Sequence, residues 1–363
     1  MNERVAINLR PASLGELLDQ GIALYRRNFV TFVGIFAVVM VPLILAQIVF
    51  SLLTFGDLIG QLQDPAAITD PTALFTPGYA IGMLGNSAVA ILNFILVQGL
   101  ATAALTRAIG DSYLGQPVTI GGAYRRIGSS WLNLLGALLL GVLLAFLLLI
   151  WTLIPCVGWL TGPGLLVFVA MAVIPLLAPA IILERQPVGQ AFHRVWDLTR
   201  RRFWPVVAYV FVLGLFAQIV VTGPTLVVTM IFQFLVGNPF NTLMGMVEPS
   251  TFVLQTIAES LTTMVVSLVF LPLQASCIML LYFDLRIRTE GFDLDVKLRQ
   301  RQADDLDNLF AATPRPTRPI QPQQEEWIYF SSLTLGAILV FGLLTSLALG
   351  LIVLLASTMA PIL

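Results

Sequence analysis

Charge is what this sequence has least of. Asp, Glu, Lys and Arg make up 11% of its 363 residues, against about 25% in a soluble domain. Hydrophobic residues make up 58%, and mean hydropathy is +0.90. This deficit excludes an ordinary water-soluble fold and points to a polytopic membrane protein. Histidine occurs once, at His193, and cysteine twice, at Cys156 and Cys277. That scarcity excludes a disulfide framework and leaves no metal-ligand spacing, so neither metal nor cofactor is expected. Both cysteines sit in apolar surroundings and read as small buried residues. No Walker loop, dinucleotide fingerprint or nucleophile elbow is present. No catalytic residue is assigned, and an enzyme is not expected. Net charge is −1, so bulk electrostatics names no partner, and nucleic acid is not expected.

What the chain does have is long apolar runs, near Val30–Leu53, Tyr79–Thr106, Trp131–Ile154, Trp159–Leu183, Trp204–Leu235, Ile257–Phe283 and Trp327–Ala356. Each is long enough to cross a bilayer as a helix. The first follows a polar, helix-like segment and reads as a span, not a cleavable signal peptide. Pro42 predicts a kink in the first span, and Pro163, Pro175 and Pro179 a bent fourth span. The fifth is long enough to be tilted or broken near Gly223-Pro224. Asn86, Asn93 and Gln98 in the second suit hydrogen bonds between helices.

All 19 Lys and Arg residues fall in four segments: four in 1–29, three in 107–130, five in 184–203 and seven in 284–326. The alternating connections have none. The positive-inside rule then places the N-terminus and all four basic segments in the cytoplasm and the C-terminus outside, in a prokaryotic plasma (inner) membrane. The expected division is a six-span membrane domain over 1–298, a Pro/Gln-rich cytoplasmic linker over 299–326, and a seventh transmembrane helix within 327–363.

The basic segments carry a common pattern. Ser13-Leu14-Gly15-Glu16 reads as a capping box. Leu14, Leu17, Leu18, Ile22, Tyr25 and Phe29 then recur at helical spacing before Arg26-Arg27 closes the segment. Residues 184–205, ERQPVGQAFHRVWDLTRRRFWP, put Val188, Phe192, Val195, Trp196, Thr199 and Phe203 on one face. Gln190, His193, Arg194, Asp197, Arg200 and Arg201 form the other. A shorter copy holds Tyr124-Arg125-Arg126 before Trp131. Each copy precedes two spans, so the unit reads as an amphipathic helix plus a transmembrane hairpin, used three times in the same orientation. The first of them reads as a helix lying in the membrane interface with its arginines toward phosphates, or else as the first turns of a long spanning helix.

Three stretches, SLGELLDQGIALYRRNF at 13–29, PAIILERQPVGQAFHRVWDLTRRRFWPVV at 179–207 and LLYFDLRIRTEGFDL at 280–294, carry a resemblance. Together they resemble the glycerophosphoryl diester phosphodiesterase membrane domain family and related prokaryotic multi-span membrane proteins of unknown function. The likeness covers about residues 13–298 and implies a six-span membrane architecture. It implies no hydrolase activity, because the short polar linker leaves no room for the catalytic domain that some members carry.

Arg26, Arg27, Arg125, Arg126, Arg194, Arg200, Arg201 and Arg202 are the expected contacts to anionic lipid headgroups, each worth on the order of 1 kcal/mol near an anionic leaflet. Glu259, with Gln98 and Gln218, is the candidate intramembrane polar site. His193 and Asp197, four residues apart, could meet across one helical turn. Asp284, Arg286, Arg288, Glu290 and Asp293 read as a helix surface laced with salt bridges, or as a dock for a partner or the basic loops. The expected fold is an all-α polytopic bundle. The expected function is membrane-organising or accessory, with membrane lipids and a protein at the cytoplasmic face as partners. The alternative is a transporter or lipid-moving protein using the proline-bent central spans.

Overall fold

The structure, a computed structural model, describes residues 11–62, 76–235, 249–294, 296 and 324–359. Arg4, Arg10, Asp64, Asp70, Glu248, Lys297, Arg299, Arg301, Arg315, Arg318 and most of the expected linker lie outside these residues. The described part is all-α, with no strand. Six helices in it are long and apolar enough to cross a membrane, as expected of a multi-span protein.

Helix α1 (Leu14–Arg27) begins at the expected capping box: Ser13 Oγ accepts from Glu16 N at 3.3 Å, and Ser13 N donates to Glu16 Oε2 at 2.8 Å. Asn28 breaks it from α2 (Phe29–Leu62). The second span runs from α3 (Pro77–Leu92) through a π-helical stretch, Asn93–Ala101, into α4 (Thr102–Tyr113). A short helix, α5 (Ile120–Arg126), precedes α6 (Ser130–Trp151). The fourth span is α7 (Val157–Phe168), a π-helical turn at Val169–Val173, and α8 (Ile174–Ile182). Then come α9 (Val188–Arg200), α10 (Phe203–Leu235), α11 (Pro249–Glu290) and α12 (Gln324–Met359). A short polar helix therefore stands immediately before the first, third and fifth spans.

Several boundaries differ from the sequence reading. α2 continues past Leu53 to Leu62, because no proline intervenes and Gly56 and Gly60 weaken a helix without ending it. α12 begins at Gln324, inside the expected linker. α10 passes through Pro224 without a break. The bend expected of the fourth span takes the form of a π turn. Pro175 has no N–H to return to the preceding turn, and the ladder there shifts register. Cys156, expected to be buried, is exposed at the α6–α7 turn with φ +64°, whereas Cys277 is buried.

Large apolar side chains cover the outside of the bundle, including Val30, Leu84, Ile219 and Leu339. That surface is stable only in a non-aqueous surround. The fourth span is the innermost, with 61% of its apolar window buried against 22% for the third and fifth. Fully buried side chains concentrate near Ala103–Ile109, Leu176–Ile182 and Tyr282–Leu285. The core is therefore densest at the end where the polar helices sit. Asn86 bonds across to α2 as expected, accepting from Gln47 at 2.7 Å and donating to Thr54 Oγ1 at 3.0 Å.

Two tyrosines pin the polar helices to the spans. Tyr25 in α1 donates to the Val269 carbonyl at 2.6 Å, and Tyr124 in α5 donates to the Ile35 carbonyl at 2.6 Å. Burial pushes both phenols from 10.0 up to about 12. Each pin holds only while the hydroxyl is protonated. Its contribution is complete below the unfolded value of 10.0 and is lost as pH rises toward about 12. Alkaline melting of detergent-solubilised protein is expected to weaken over that window. A Tyr25→Phe, Tyr124→Phe double variant starts less stable and shows a shallower decline. Equal slopes in the two proteins would contradict the pinning role.

Candidate functional site

The elements at the basic end meet around one carboxylate. Glu184 follows α8, at the end of a long apolar run, and is 4% exposed. A carboxylate so deep must be paired. Arg194, one and a half turns into α9, reaches it with Nε at 3.0 Å and Nη2 at 3.2 Å, a forked contact. The other side of the same guanidinium meets Glu290, the last residue of α11, through Nη1 and, at 2.6 Å, through Nη2. Arg286, one turn before Glu290, places Nε 3.2 Å from Glu184 and 3.3 Å from Glu290. Tyr282 Oη donates to Glu184. The Arg286 guanidinium lies over the Phe292 ring at 4.2 Å, and its Nη1 has no hydrogen-bond partner. Two guanidiniums thus balance two carboxylates inside the protein. Burial alone would lower the Arg194 pKa. The hydrogen bonds Arg194 donates to Glu290 and the charge of Glu184 outweigh this and raise it above the ordinary arginine value. Arg194 stays charged at any working pH.

Further pairs fasten the same end. Asp284 accepts from the Ala12 N–H at 3.0 Å and from Arg288 Nε at 2.8 Å, and Arg288 Nη2 donates to the Ala12 carbonyl at 2.7 Å. Asp111 lies between Arg107 and Arg126, each at 3.0 Å. Asn28 donates to Ser112 Oγ at 2.7 Å, and Tyr113 stacks on Phe283 with centroids 4.6 Å apart. Asp197 holds Arg201 at 2.8 Å and Arg200 at 3.3 Å, and Arg200 also lies 3.6 Å from Glu326 of α12. The charged block at the end of α11 therefore meets both readings of its sequence: Asp284–Arg288 and Arg286–Glu290 are salt bridges along the helix, and Asp284 and Glu290 also dock the start of α1 and α9.

The eight expected headgroup arginines separate into two sets. Arg194 and Arg200 have side chains only 5% and 8% exposed and are held by carboxylates. This corrects the expectation for both. Their helix face looked polar and outward, but α11 covers Arg194 on one flank and α12 covers Arg200 on the other. Arg26, Arg27, Arg125, Arg126, Arg201 and Arg202 are exposed. Of these, Arg126 and Arg201 are paired, while Arg26, Arg27, Arg125 and Arg202 form no ion pair among the described residues. The apolar stripe of α1 and the start of α2 also divides. Leu17, Gly21 and Tyr25 are buried, whereas Leu14, Ile22 and Phe29 stay exposed.

The expected intramembrane set does not converge. Glu259 accepts from Thr229 Oγ1 at 2.6 Å and from Gln255 at 2.8 Å, whereas Gln98 and Gln218 are exposed on the outside of the bundle. No hydrogen bond joins His193 to Asp197, whose carboxylate is taken by arginines. Among the described residues no cluster of His, Cys, Asp or Glu could hold a metal ion. Sequence reasoning missed Glu184 as the centre. The signal was there: a lone acid directly after an apolar run, ten residues before an arginine in a helix. Compared with protein-family models, curated proteins and solved structures, the chain finds no match.

Proposed function

We propose that this chain is a membrane-organising or accessory protein of a prokaryotic plasma membrane, not an enzyme. In this reading the basic end faces the cytoplasm and holds anionic lipid headgroups around the bundle. The observation that carries it is the division of the arginines. Those needed for packing are matched to carboxylates, while Arg26, Arg27, Arg125 and Arg202 stand exposed with no carboxylate partner among the described residues, at the end of the bundle where Leu14, Ile22 and Phe29 are also exposed. Cations beside apolar side chains at the end of a span suit phosphates above and acyl chains below. A transporter would need Gln98, Gln218 and Glu259 to share one space, and their placement lends that reading no support.

The test is lipid enrichment around the intact chain, purified in nanodiscs of mixed phosphatidylglycerol and phosphatidylcholine. Enrichment of the anionic lipid is expected and should fall as salt rises, because exposed charges are screened beyond about 10 Å at 0.1 M. The Arg26→Gln, Arg27→Gln, Arg125→Gln triple variant should lose most of it, at roughly fivefold per arginine for about 1 kcal/mol each. Undiminished enrichment in the triple variant would overturn the reading.

A further inference from the structure

The basic end also contains a cavity of about 230 Å³. It lies between the start of α1, the start of α10 and the end of α11. Its walls are mostly apolar, with Leu14, Val206 and Leu285 among them, and its polar members are led by Arg202, Arg288 and Asp284. Two guanidiniums face one carboxylate there, leaving one positive charge unmatched. Arg288 is committed through Nε to Asp284 and through Nη2 to the Ala12 carbonyl, which leaves its Nη1 donors. Arg202 is exposed and has no ion pair among the described residues. It stands one residue before α10, where the fifth span begins.

We propose that this cavity is a specific site for one anionic glycerophospholipid. The inference rests on the reading of the basic end as lipid-facing and names a site within it. A phosphodiester carries one negative charge, which matches the single unmatched cation. Arg202 closes on the phosphate from the mouth, and Arg288 offers Nη1 from the wall, a charge-assisted pair of contacts. The apolar walls receive the glycerol and the first methylenes of the acyl chains. A free phosphate would leave those walls unused, which is why the occupant is a lipid and not a soluble anion. The location serves the same end, since the mouth sits where α10 leaves the polar helices and enters the apolar bundle.

The test uses the full chain, delipidated in detergent and titrated with phosphatidylglycerol, with bound lipid per chain read by native mass spectrometry. One tightly retained lipid is expected. Arg202→Gln should weaken it about tenfold, in line with the loss of one charged hydrogen bond, and Arg202→Lys should restore part of the affinity. Leu14→Trp, at a 40% exposed position, should block the cavity without disturbing the core. Inorganic phosphate and glycerol phosphate should not displace the lipid, and phosphatidylcholine should bind more weakly. Unchanged retention in both Arg202→Gln and Leu14→Trp would overturn the site. Displacement by inorganic phosphate would instead make it an anion site. The Arg26, Arg27, Arg125 triple variant separates the two proposals. If that variant keeps the retained lipid while losing the surrounding enrichment, both stand. If the wild type shows no enrichment at all, the broader reading fails whatever the cavity does.

Discussion

Replacing Arg194 by alanine is expected to cost roughly 3–5 kcal/mol of folding stability, the range for breaking a buried ion pair by removing one partner. The reason is not the strength of the contact itself. Glu184 is 4% exposed, and without Arg194 it keeps, among the described residues, Arg286 and Tyr282. Glu290 loses the fork that ties the end of α11 to α9. Two carboxylates then share one buried guanidinium, and the desolvation of Glu184 is no longer compensated. Unfolding in mixed micelles measures this directly. Arg202→Ala, at an exposed position with no ion pair among the described residues, is the control and should stay within about 0.5 kcal/mol of wild type. Combining Arg194→Ala with Glu184→Gln should recover part of the loss, because the buried charge is then removed along with its partner. Equal stabilities for Arg194→Ala and Arg202→Ala would contradict the network's role.

The second large effect is at the contact of α7 with α12. A Cβ added to Gly164 would lie 2.0 Å from the Phe330 carbonyl oxygen and 2.7 Å from Thr334 Oγ1. The first of these is backbone and cannot swing aside. The same glycine donates its N–H to Thr334 Oγ1 at 2.8 Å, which requires close approach of the two helices. Gly164→Ala is therefore expected to push α12 off the bundle at a cost of about 3 kcal/mol, at the upper end of overpacking. The aromatic contacts of Phe330 with Phe168, Trp196 and Phe203 would loosen with it, as would the Glu326 contact to Arg200. Limited proteolysis should release the last helix sooner, and the melting temperature should fall. Gly336→Ala, where nothing lies within 4 Å, should leave both unchanged.

Much of this architecture is legible from sequence because it depends on local rules. The capping box at Ser13 and Glu16 needs only a spacing of three. The spans need only length and apolarity, and Pro175 announces the irregular turn of the fourth span by lacking an N–H. What stayed hidden depends on partners distant in the chain. Arg194 lies on a face that reads as polar and solvated, and it becomes a buried member of the core only where the end of α11 brings Glu290, 96 residues on, to the guanidinium that Glu184 already holds. Gly164 carries no signal of its own until Phe330 is brought against it. The site shows the same division. The arginine-rich segments were visible as a group. Which arginines are consumed by packing and which remain free was not, because exposure is decided by the arrangement of α9, α11 and α12.

That division of labour is the centre of the account, and one paired measurement addresses it. The intact chain is prepared as wild type, as Arg194→Gln, and as the Arg26→Gln, Arg27→Gln, Arg125→Gln triple variant. Each is measured for unfolding stability and for anionic-lipid enrichment in nanodiscs. The predicted result is a crossed pattern. Arg194→Gln loses stability by several kcal/mol, while its folded fraction keeps its lipid enrichment. The triple variant keeps its stability and loses its lipid enrichment. If the triple variant unfolds as Arg194→Gln does, or if Arg194→Gln alone abolishes enrichment in protein that remains folded, the arginines are not divided between packing and lipid and the account is wrong.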